Sequence, residues 1–436
     1  MTMIRPETEM KNSGVQWLGN IPKEWSVGKV KHEFYATKTI VGDKVNDYER
    51  LALTLNGVIK RSKDAGDGLQ PEKFDGYQIL KEHELVFKLI DLANVSTSRV
   101  GLSPYTGIVS PAYIVLHHRK DMNPRYGKYY FLSMWMNEVF NHIGGDGVRS
   151  ALNAKDLLNI PYLKVSPDEQ QAIADYLDKT CSQIDEIIAE AKASIDEYKE
   201  LKQSVIFEAV TKGLDKNVEM KDSGYDFIGC IPSEWEMCKV RHLGTTQNGI
   251  SIDGDAFGSG YPFVSYGDVY KNYSLPKTVD KLVQSSKEDR KRYSVEKGDW
   301  FFTRTSETIE EVGFSCVCEE TIPDAVFAGF LIRVRPFNNR IYMGFAKYYF
   351  RSNHLRTFFV KEMNLVTRAS LAQGLLKDAP VVVPPYDEQI EIANYLENKC
   401  ESIDGVIKDK ESIINDLEAY KKSLIYEVVT GKRRVV

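Results

Sequence analysis

Residues 168–185 read DEQQAIADYLDKTCSQID, and residues 387–404, 219 positions later, read DEQIEIANYLENKCESID. Ten of these 18 positions are identical. Each stretch begins with an Asp-Glu pair, and carboxylates in a first turn are favoured by the helix dipole. Apolar residues then recur at spacings of three and four, over residues 173–205 and again over 392–428. This spacing predicts two similar amphipathic helices, each with one apolar seam.

The predicted length of these helices indicates that they pair. About 43 residues at about 1.5 Å each give a rod of roughly 64 Å, far longer than the usual helix of about 10–14 residues. An apolar seam of that length is unstable in water, so we expect the two helices to form an antiparallel coiled coil. Lys410 interrupts the second seam where the spacing predicts an apolar residue.

A second repeated stretch opens each half of the chain. Residues 10–32 and 220–242 are identical at 12 of 23 positions, and both contain an Ile-Pro-x-Glu-Trp phrase, which ends in Trp25 and in Trp235. Proline fixes its own φ and makes the preceding residue extended, and tryptophan supplies a large apolar anchor. Because these residues match while the middles of the halves differ, we predict that both tryptophans pack within the frame.

The repeats define the predicted domains and fold class. The phrase KYYF also recurs, at 128–131 and 347–350. Between the repeats lie runs with strand composition and short helical patterns, typical of mixed α and β structure. The sequence therefore predicts an α+β protein with two tandem, pseudo-symmetric globular domains separated by two long antiparallel coiled-coil helices. The predicted boundaries are 1–163 (the first head), 164–218 (a central spacer helix), 219–384 (the second head) and 385–436 (a C-terminal spacer helix).

Charge and composition restrict the classes of function. The net charge is −5, but the acidic excess lies in the two helical segments, whereas the first head carries three more cations than anions and the second head is neutral. A nucleic-acid surface would then depend on where the cations lie within each head.

The six cysteines lack the spacing of a zinc site, and no signal core or long apolar run occurs. We expect a cytoplasmic chain that contacts no membrane and binds no metal.

The sequence predicts no catalytic site. It contains neither a phosphate-binding Walker loop nor the Asn- or Asp-Pro-Pro-aromatic stretch of amino-methyltransferases. A nuclease pattern can be assembled only from Pro167-Asp168 with Glu197 and Lys199, and such charges are routine on a seam helix. His117-His118 is interpreted as part of a solvated, basic loop, and residues 143–150 (IGGDGVRS) as a flexible loop. We therefore predict a non-enzymatic chain that needs no cofactor of its own.

Cationic and hydroxyl residues in the divergent middles are the candidate contacts to DNA. Arginine can bind guanine edges with two hydrogen bonds, serine and threonine reach bases or phosphates, and lysine mainly neutralises phosphate. A solvated protein surface is the alternative interpretation of each cluster taken singly. The candidates in the first head are Lys60, Arg61, Lys63, Ser96, Ser98, Arg99, Arg119 and Lys120, and those in the second head are Arg290, Arg292, Thr303, Arg304, Thr305 and Ser306.

Taken together, the repeated motifs resemble those of type I restriction-modification specificity subunits. The resemblance rests on the two Ile-Pro-x-Glu-Trp openings, the helix entries with Glu169-Gln170 and Glu388-Gln389, and the Val-Thr pairs at 210–211 and 429–430. Longer phrases at 98–113 (SRVGLSPYTGIVSPAY) and 295–308 (VEKGDWFFTRTSET) also resemble the family.

This resemblance implies the function and the partners of the chain. Each head would be a target recognition domain that reads one half of a bipartite double-stranded DNA sequence, with the helices as a molecular ruler. Two modification subunits would bind S-adenosylmethionine and methylate adenine, and restriction subunits would use ATP and Mg to translocate and cut DNA. Two alternatives stay open at this point: a non-catalytic, two-headed tether for protein ligands, and a self-contained methyltransferase or nuclease.

Overall fold

The structure is a computed structural model that describes residues 3–63, 73–92, 99–143, 151–306, 312–362 and 369–435. It divides into two compact units, of which the first comprises residues 1–191 and 411–436 and the second comprises residues 192–410. Each unit combines sheets with helices, and two long helices, Pro167–Lys212 and Tyr386–Val429, each contribute a part to both units. The predicted α+β fold with two tandem domains and two long helices is confirmed.

The two long helices pair in opposite directions, as predicted. In the first unit Lys421 Nζ lies 2.6 Å from the Asp185 carboxylate, and in the second unit Lys202 Nζ lies 2.6 Å from that of Asp404. Moving 17 positions forward along the first long helix, from 185 to 202, thus corresponds to moving 17 positions back along the second, from 421 to 404. The two ion pairs are copies of each other at the 219-residue offset.

Most of the predicted seam is buried. The buried seam residues are Ile173, Leu177, Cys181, Ile184, Ile188 and Ile195 on the first long helix, and Ile392, Leu396, Cys400, Ile403, Ile414, Leu424 and Val428 on the second. The prediction is wrong for Leu201 and Tyr420, which are 48% and 47% exposed. Ile206 and Ile425 are buried instead, because a helix of 3.6 residues per turn drifts away from a strict 3.5-residue seam.

The first unit contains two four-stranded sheets. One has the strand order Arg99–Leu102, Leu85–Lys88, Ile114–His118, Phe34–Ala36, and the other has the order Gly57–Arg61, Arg50–Thr54, Gly107–Val109, Gln78–Leu80. Two-stranded pairs join Met10–Asn12 to Asn20–Pro22, Ser26–Lys29 to Pro161–Lys164, and Met3–Ile4 to Arg433–Arg434. The shorter helices are Glu7–Glu9, Val30–Glu33, Gly42–Asp47, Pro124–Met136, Val139–Ile143 and Ala154–Asn159.

The second unit repeats this plan with differences. A four-stranded sheet has the order Gly244–Asn248, Leu331–Pro336, Trp300–Thr303, Ser315–Val317, and a three-stranded sheet has the order Leu282–Val283, Phe257–Val264, Val326–Phe327. Two-stranded pairs join Met220–Asp222 to Cys230–Pro232, Glu236–Lys239 to Pro380–Val383, and Thr305–Ser306 to Ala369–Ser370. The shorter helices are Val240–His242, Gly254–Ala256, Tyr266–Lys271, Lys287–Arg292, Met343–Tyr349, Asn353–Glu362 and Gln373–Asp378.

The repeated KYYF phrase attaches each head to the helix that follows it. Tyr129 donates its hydroxyl hydrogen bond to Asp178 at 2.7 Å, and Tyr348 donates the equivalent bond to Glu397 at 2.7 Å. The next tyrosine of each phrase donates to a backbone carbonyl of a frame strand, at Pro161 and at Pro380, at 3.0 Å in both units. The phrase is therefore retained because it joins the sheet frame to the helix.

The Ile-Pro-x-Glu-Trp phrase does the same from the other side. Trp25 is 2% exposed and donates its indole N–H to Glu169 at 2.9 Å, and Trp235 is 1% exposed and donates to Glu388 at 2.8 Å. Each indole ring also lies close to a glycine just after the end of the other long helix: a Cβ would come within 2.9 Å of the Trp25 ring at Gly431 and within 3.1 Å of the Trp235 ring at Gly213. Each tryptophan thus joins the start of one long helix to the end of the other, and its predicted packing role is confirmed.

Replacing Trp25 with alanine is expected to destabilise the first unit by about 3–5 kcal/mol, because it removes a buried ring and leaves a cavity. Trp25→Phe keeps most of the packing and loses the hydrogen bond to Glu169, so we expect a smaller cost of about 1–2 kcal/mol. Urea unfolding followed by circular dichroism measures both. A Trp25→Ala cost below that of Trp25→Phe would show that the ring does not anchor the frame.

In the part of the chain that the structure describes, no helix combines the length and the apolar character needed to cross a membrane.

Candidate nucleic-acid interface

The first unit has a cavity of about 280 Å³ lined by residues of both four-stranded sheets. Four of the lining residues are cationic, and two tyrosines lie among them. These residues are Arg50, Arg61, Lys88, Arg99, Tyr77 and Tyr113. The cavity brings together two of the predicted contacts, Arg61 and Arg99, which are 38 positions apart in the sequence.

The four cations are paired by strand register. Arg50 lies directly opposite Arg61 in one sheet, and Lys88 lies directly opposite Arg99 in the other. Like charges opposite each other on neighbouring strands destabilise a sheet. Burial lowers the pKa of Lys88, and the charge of Arg99 lowers it further, whereas Asp91 acts in the opposite direction. The two register pairs therefore place four cationic side chains around one cavity.

A buried glutamine fixes the turn at the side of this cavity. Gln78 is 2% exposed and its side-chain amide donates to the carbonyls of Ser110 and Tyr113, at 3.0 and 2.7 Å. Burial raises the pKa of Tyr113, although the charges of Arg99, Arg50 and Arg61 act in the opposite direction. Tyr113 consequently keeps its proton at neutral pH and can act as a hydrogen-bond donor.

The second unit has a cavity of about 630 Å³, and its lining is mainly aromatic and apolar. Members of this lining are Phe257, Phe263, Tyr266, Lys281, Ala328 and Phe330. Phe257 and Phe330 are 44% and 63% exposed. Large apolar side chains exposed beside a cavity are a common feature of binding surfaces.

Strand register shows that the two cavities share equivalent lining positions. Phe87 pairs with Ile114 in the first unit, and Phe302 pairs with Ile332 in the second. Six positions before each isoleucine, Ile108 pairs in parallel with Arg50, and Val326 pairs in parallel with Phe263. Arg50 and Phe263 are therefore equivalent, and each lines the cavity of its own unit.

The equivalent positions carry unlike side chains. Lys88 follows Phe87 and Thr303 follows Phe302, so Lys88 and Thr303 are equivalent. The residues opposite them, Arg99 and Phe314, are therefore equivalent as well. Ser110 corresponds to Ala328 by the same spacing, and Arg61 corresponds to Lys281, which keeps a cation. One place in the duplicated fold is thus mainly cationic in one head and mainly apolar in the other.

The remaining predicted residues of the first head do not join this cavity. Lys60 lies on the opposite face of the strand from Arg61, 2.6 Å from the Glu49 carboxylate and 5.1 Å from the Tyr105 ring. Lys63 donates to the backbone carbonyl of Val45 at 2.7 Å. Ser96 and Ser98 lie outside the described residues, as does nearly all of the predicted flexible loop at 143–150.

Arg119 and Lys120 are exposed in the turn after Ile114–His118, far from the cationic cavity. The Arg119 guanidinium lies 5.7 Å from the ring of Tyr35, which belongs to one edge strand of the sheet, whereas Arg99 begins the opposite edge strand. The predicted contacts of the first head therefore form at least two separate surfaces.

The prediction for His117-His118 is wrong, because both residues belong to a strand rather than a loop. His117 Nδ1 lies 2.5 Å from Glu84, and this hydrogen bond raises the pKa of His117. The equivalent pair in the second unit joins Arg335 to the buried Asp299 at 2.6 Å. The cation and carboxylate at this place therefore hold two strands of the sheet together in both heads.

The structure also places the predicted contacts on the helix Lys287–Arg292 of the second head. Arg290 packs on the Tyr261 ring at 3.6 Å and donates to Asp324 at 3.2 Å, which gives it a structural role. Arg292 is exposed, with its guanidinium 5.4 Å from the Tyr293 ring.

The prediction that Thr303 contacts DNA is wrong, because its side chain is fully buried and accepts a hydrogen bond from the Phe314 N–H at 2.9 Å. Arg304 is half-buried and donates to the carbonyl of Gly329 at 3.4 Å, next to the exposed Phe330. Thr305 and Ser306 form a short strand that pairs with Ala369–Ser370.

Arg50 and Lys88 were missed by the sequence analysis. Each is an isolated cation at the end of a largely apolar strand, so neither belongs to a basic run. Strand alternation was the available signal. It places Lys60 and Arg61 on opposite faces of their strand, and it can place a cation at the end of an apolar strand beside the core.

The chain is similar to proteins of one family. Residues 232–413 match the family model described as the type I restriction modification DNA specificity domain. The chain is 22% identical over 306 residues to the type I restriction enzyme EcoKI specificity subunit of Escherichia coli (strain K12). These 306 residues are 69% of this chain. The match spans 63% of the length of that relative.

Two solved structures share the fold over nearly the whole chain. One belongs to a study of complex assembly and conformational transition of the type I R-M system; it has a TM-score of 0.72 at 13% identity and covers 94% of this chain and 99% of its own. The other is the HsdS subunit from Thermoanaerobacter tengcongensis, with a TM-score of 0.50 at 13% identity, covering 94% of this chain and 98% of its own.

Proposed function

We propose that this chain, whose residues 232–413 match the type I restriction modification DNA specificity domain, is a non-catalytic specificity subunit that selects a bipartite DNA target. Each head reads one half-site on double-stranded DNA. The paired long helices set the separation of the two half-sites. The chain selects the site, and partner subunits in the cytoplasm carry out the chemistry on it.

The observation that carries this proposal is the duplicated cavity with unlike linings. Duplication preserved the frame of both heads, including the hydrogen bonds of Trp25 and Trp235 to the long helices. The equivalent cavity positions instead carry Arg50 in one head and Phe263 in the other. A common frame with divergent contact residues supports two reading surfaces that recognise different sequences, since specificity is read by side chains at base edges and by DNA shape.

The charge of the helical segments supports the proposal that they bind partner proteins. These segments hold the acidic excess of the chain, and acidic side chains repel phosphate. We therefore assign them to protein partners: two modification subunits, which bind S-adenosylmethionine and methylate adenine, and restriction subunits, which use ATP and Mg.

The test is a selection of bound duplexes from a randomised pool, followed by sequencing. We expect two short blocks of specified bases that differ from each other and are separated by a gap of constant length without base preference. A pool incubated without the chain is the control. A single contiguous block would contradict two reading heads, and the absence of any enriched sequence would favour the protein tether.

A further inference from the structure

We propose that the cationic cavity of the first unit binds a backbone phosphate of DNA, so that the first head carries most of the salt-sensitive part of the affinity. This inference rests on the proposed function and adds to it the ligand group of one cavity. It also predicts an asymmetry between the heads that the duplicated fold alone does not require.

The shape and the charge of the cavity fit a phosphate. Arg50, Arg61, Lys88 and Arg99 approach it from two sheets, around a volume of about 280 Å³. A concave site accepts a group that projects from the duplex, as phosphates do, whereas base edges lie recessed in the grooves. Guanidinium groups bind phosphate oxygens with two parallel hydrogen bonds, and a lysine adds a point charge.

The strand register brings the four cations together at the cavity. The cross-strand pairs Arg50–Arg61 and Lys88–Arg99 place like charges opposite each other in both sheets that line the cavity. A phosphate between the two sheets would interact favourably with these cations, and more strongly with the half-buried Lys88 than with an exposed lysine.

The second unit provides an internal comparison. Phe263, Thr303 and Phe314 occupy the positions of Arg50, Lys88 and Arg99. The fourth cation, Arg61, corresponds to Lys281, which is also a cation. Since Phe257, Phe263 and Phe330 line the second cavity, it is suited to apolar contacts. The segment charges agree, since the first head has three more cations than anions and the second head has none in excess.

The experiment is a titration of the full-length chain with its selected duplex and with a random duplex, by fluorescence anisotropy at a series of salt concentrations. Lys88→Met and Arg61→Met are each expected to reduce the slope of log affinity against log salt by about 0.9 for each phosphate that the variant no longer neutralises. Both should weaken the selected and the random duplex by a similar factor, because phosphate contacts carry no sequence information.

Two matched variants serve as controls. Lys60→Met removes a cation one position away, on the opposite face of the strand, and is expected to leave the slope unchanged. Arg61→Lys keeps the charge and is expected to keep the slope, which separates loss of charge from loss of structure. Thermal unfolding followed by circular dichroism checks that each variant is folded; Lys88→Met removes a like-charge neighbour of Arg99 and should fold at least as well as the native chain.

Two results would overturn the proposal, and a third would overturn the proposed function instead. An unchanged slope in both methionine variants, with binding retained, would show that the cavity holds no phosphate. A changed base preference in one block at constant slope would show that these residues read bases. If the native chain shows no sequence-specific binding at all, the proposed function fails independently of the variants.

Discussion

Removing one heptad from each long helix is expected to shorten the gap between the two half-sites by about three base pairs. Deleting residues 189–195 and 408–414, which are equivalent at the 219-residue offset, keeps the phase of both apolar seams. Seven residues at about 1.5 Å each shorten the paired helices by roughly 10.5 Å, and one base pair occupies about 3.4 Å. Half-site spacing follows protein geometry, so the gap should change by this amount.

The effect on the original target should be large. With one half-site out of reach, binding should fall toward the non-specific level, a loss of about a thousandfold or more. Inserting one heptad at the same two positions is the matched control, and it should lengthen the gap by about three base pairs. Selection from randomised duplexes measures the gap directly. An unchanged gap in both variants would show that the long helices do not set the spacing.

The frame of this protein could be predicted from its sequence because it is written twice. The seam spacing predicted both long helices, and the repeated tryptophans marked the contacts that join each head to them. Repetition works as a signal here since both copies must satisfy the same packing. The errors at Leu201 and Tyr420 arose because the alternating spacings of three and four average 3.5 residues, whereas the helix turns once in 3.6 residues.

The candidate site was less predictable, since it depends on strand register. Lys60 and Arg61 are neighbours in the sequence, yet strand alternation places them on opposite faces. Arg50 and Lys88 are 38 positions apart, yet they line one cavity. Basic runs therefore identified Arg61 and Arg99 but not the other two cations that line the cavity.

Some cations of the second head are structural for a reason that composition does not reveal. Arg351 is 9% exposed and donates hydrogen bonds to backbone carbonyls, including those of Val269 at 3.0 Å and Ser315 at 2.9 Å. Its guanidinium also lies 4.5 Å from the Phe314 ring. A buried arginine with carbonyl acceptors holds loops together, and in the sequence it looks the same as a cation that meets phosphate.

Exchanging one head is the measurement that tests the central claim most directly. Residues 33–127 would be replaced with the corresponding segment of a related specificity subunit that has a different target, and the bound duplexes would be selected and sequenced. We expect one block of specified bases to become that of the donor, while the other block and the gap stay unchanged. Affinity for the original target should fall by about a thousandfold or more.

The reciprocal exchange of residues 243–346, the equivalent segment of the second head, is the matched control and should change only the other block. This pair of results would show that each head reads its own half-site. If either exchange altered both blocks, or if neither altered any block, the chain would not recognise DNA through two independent heads.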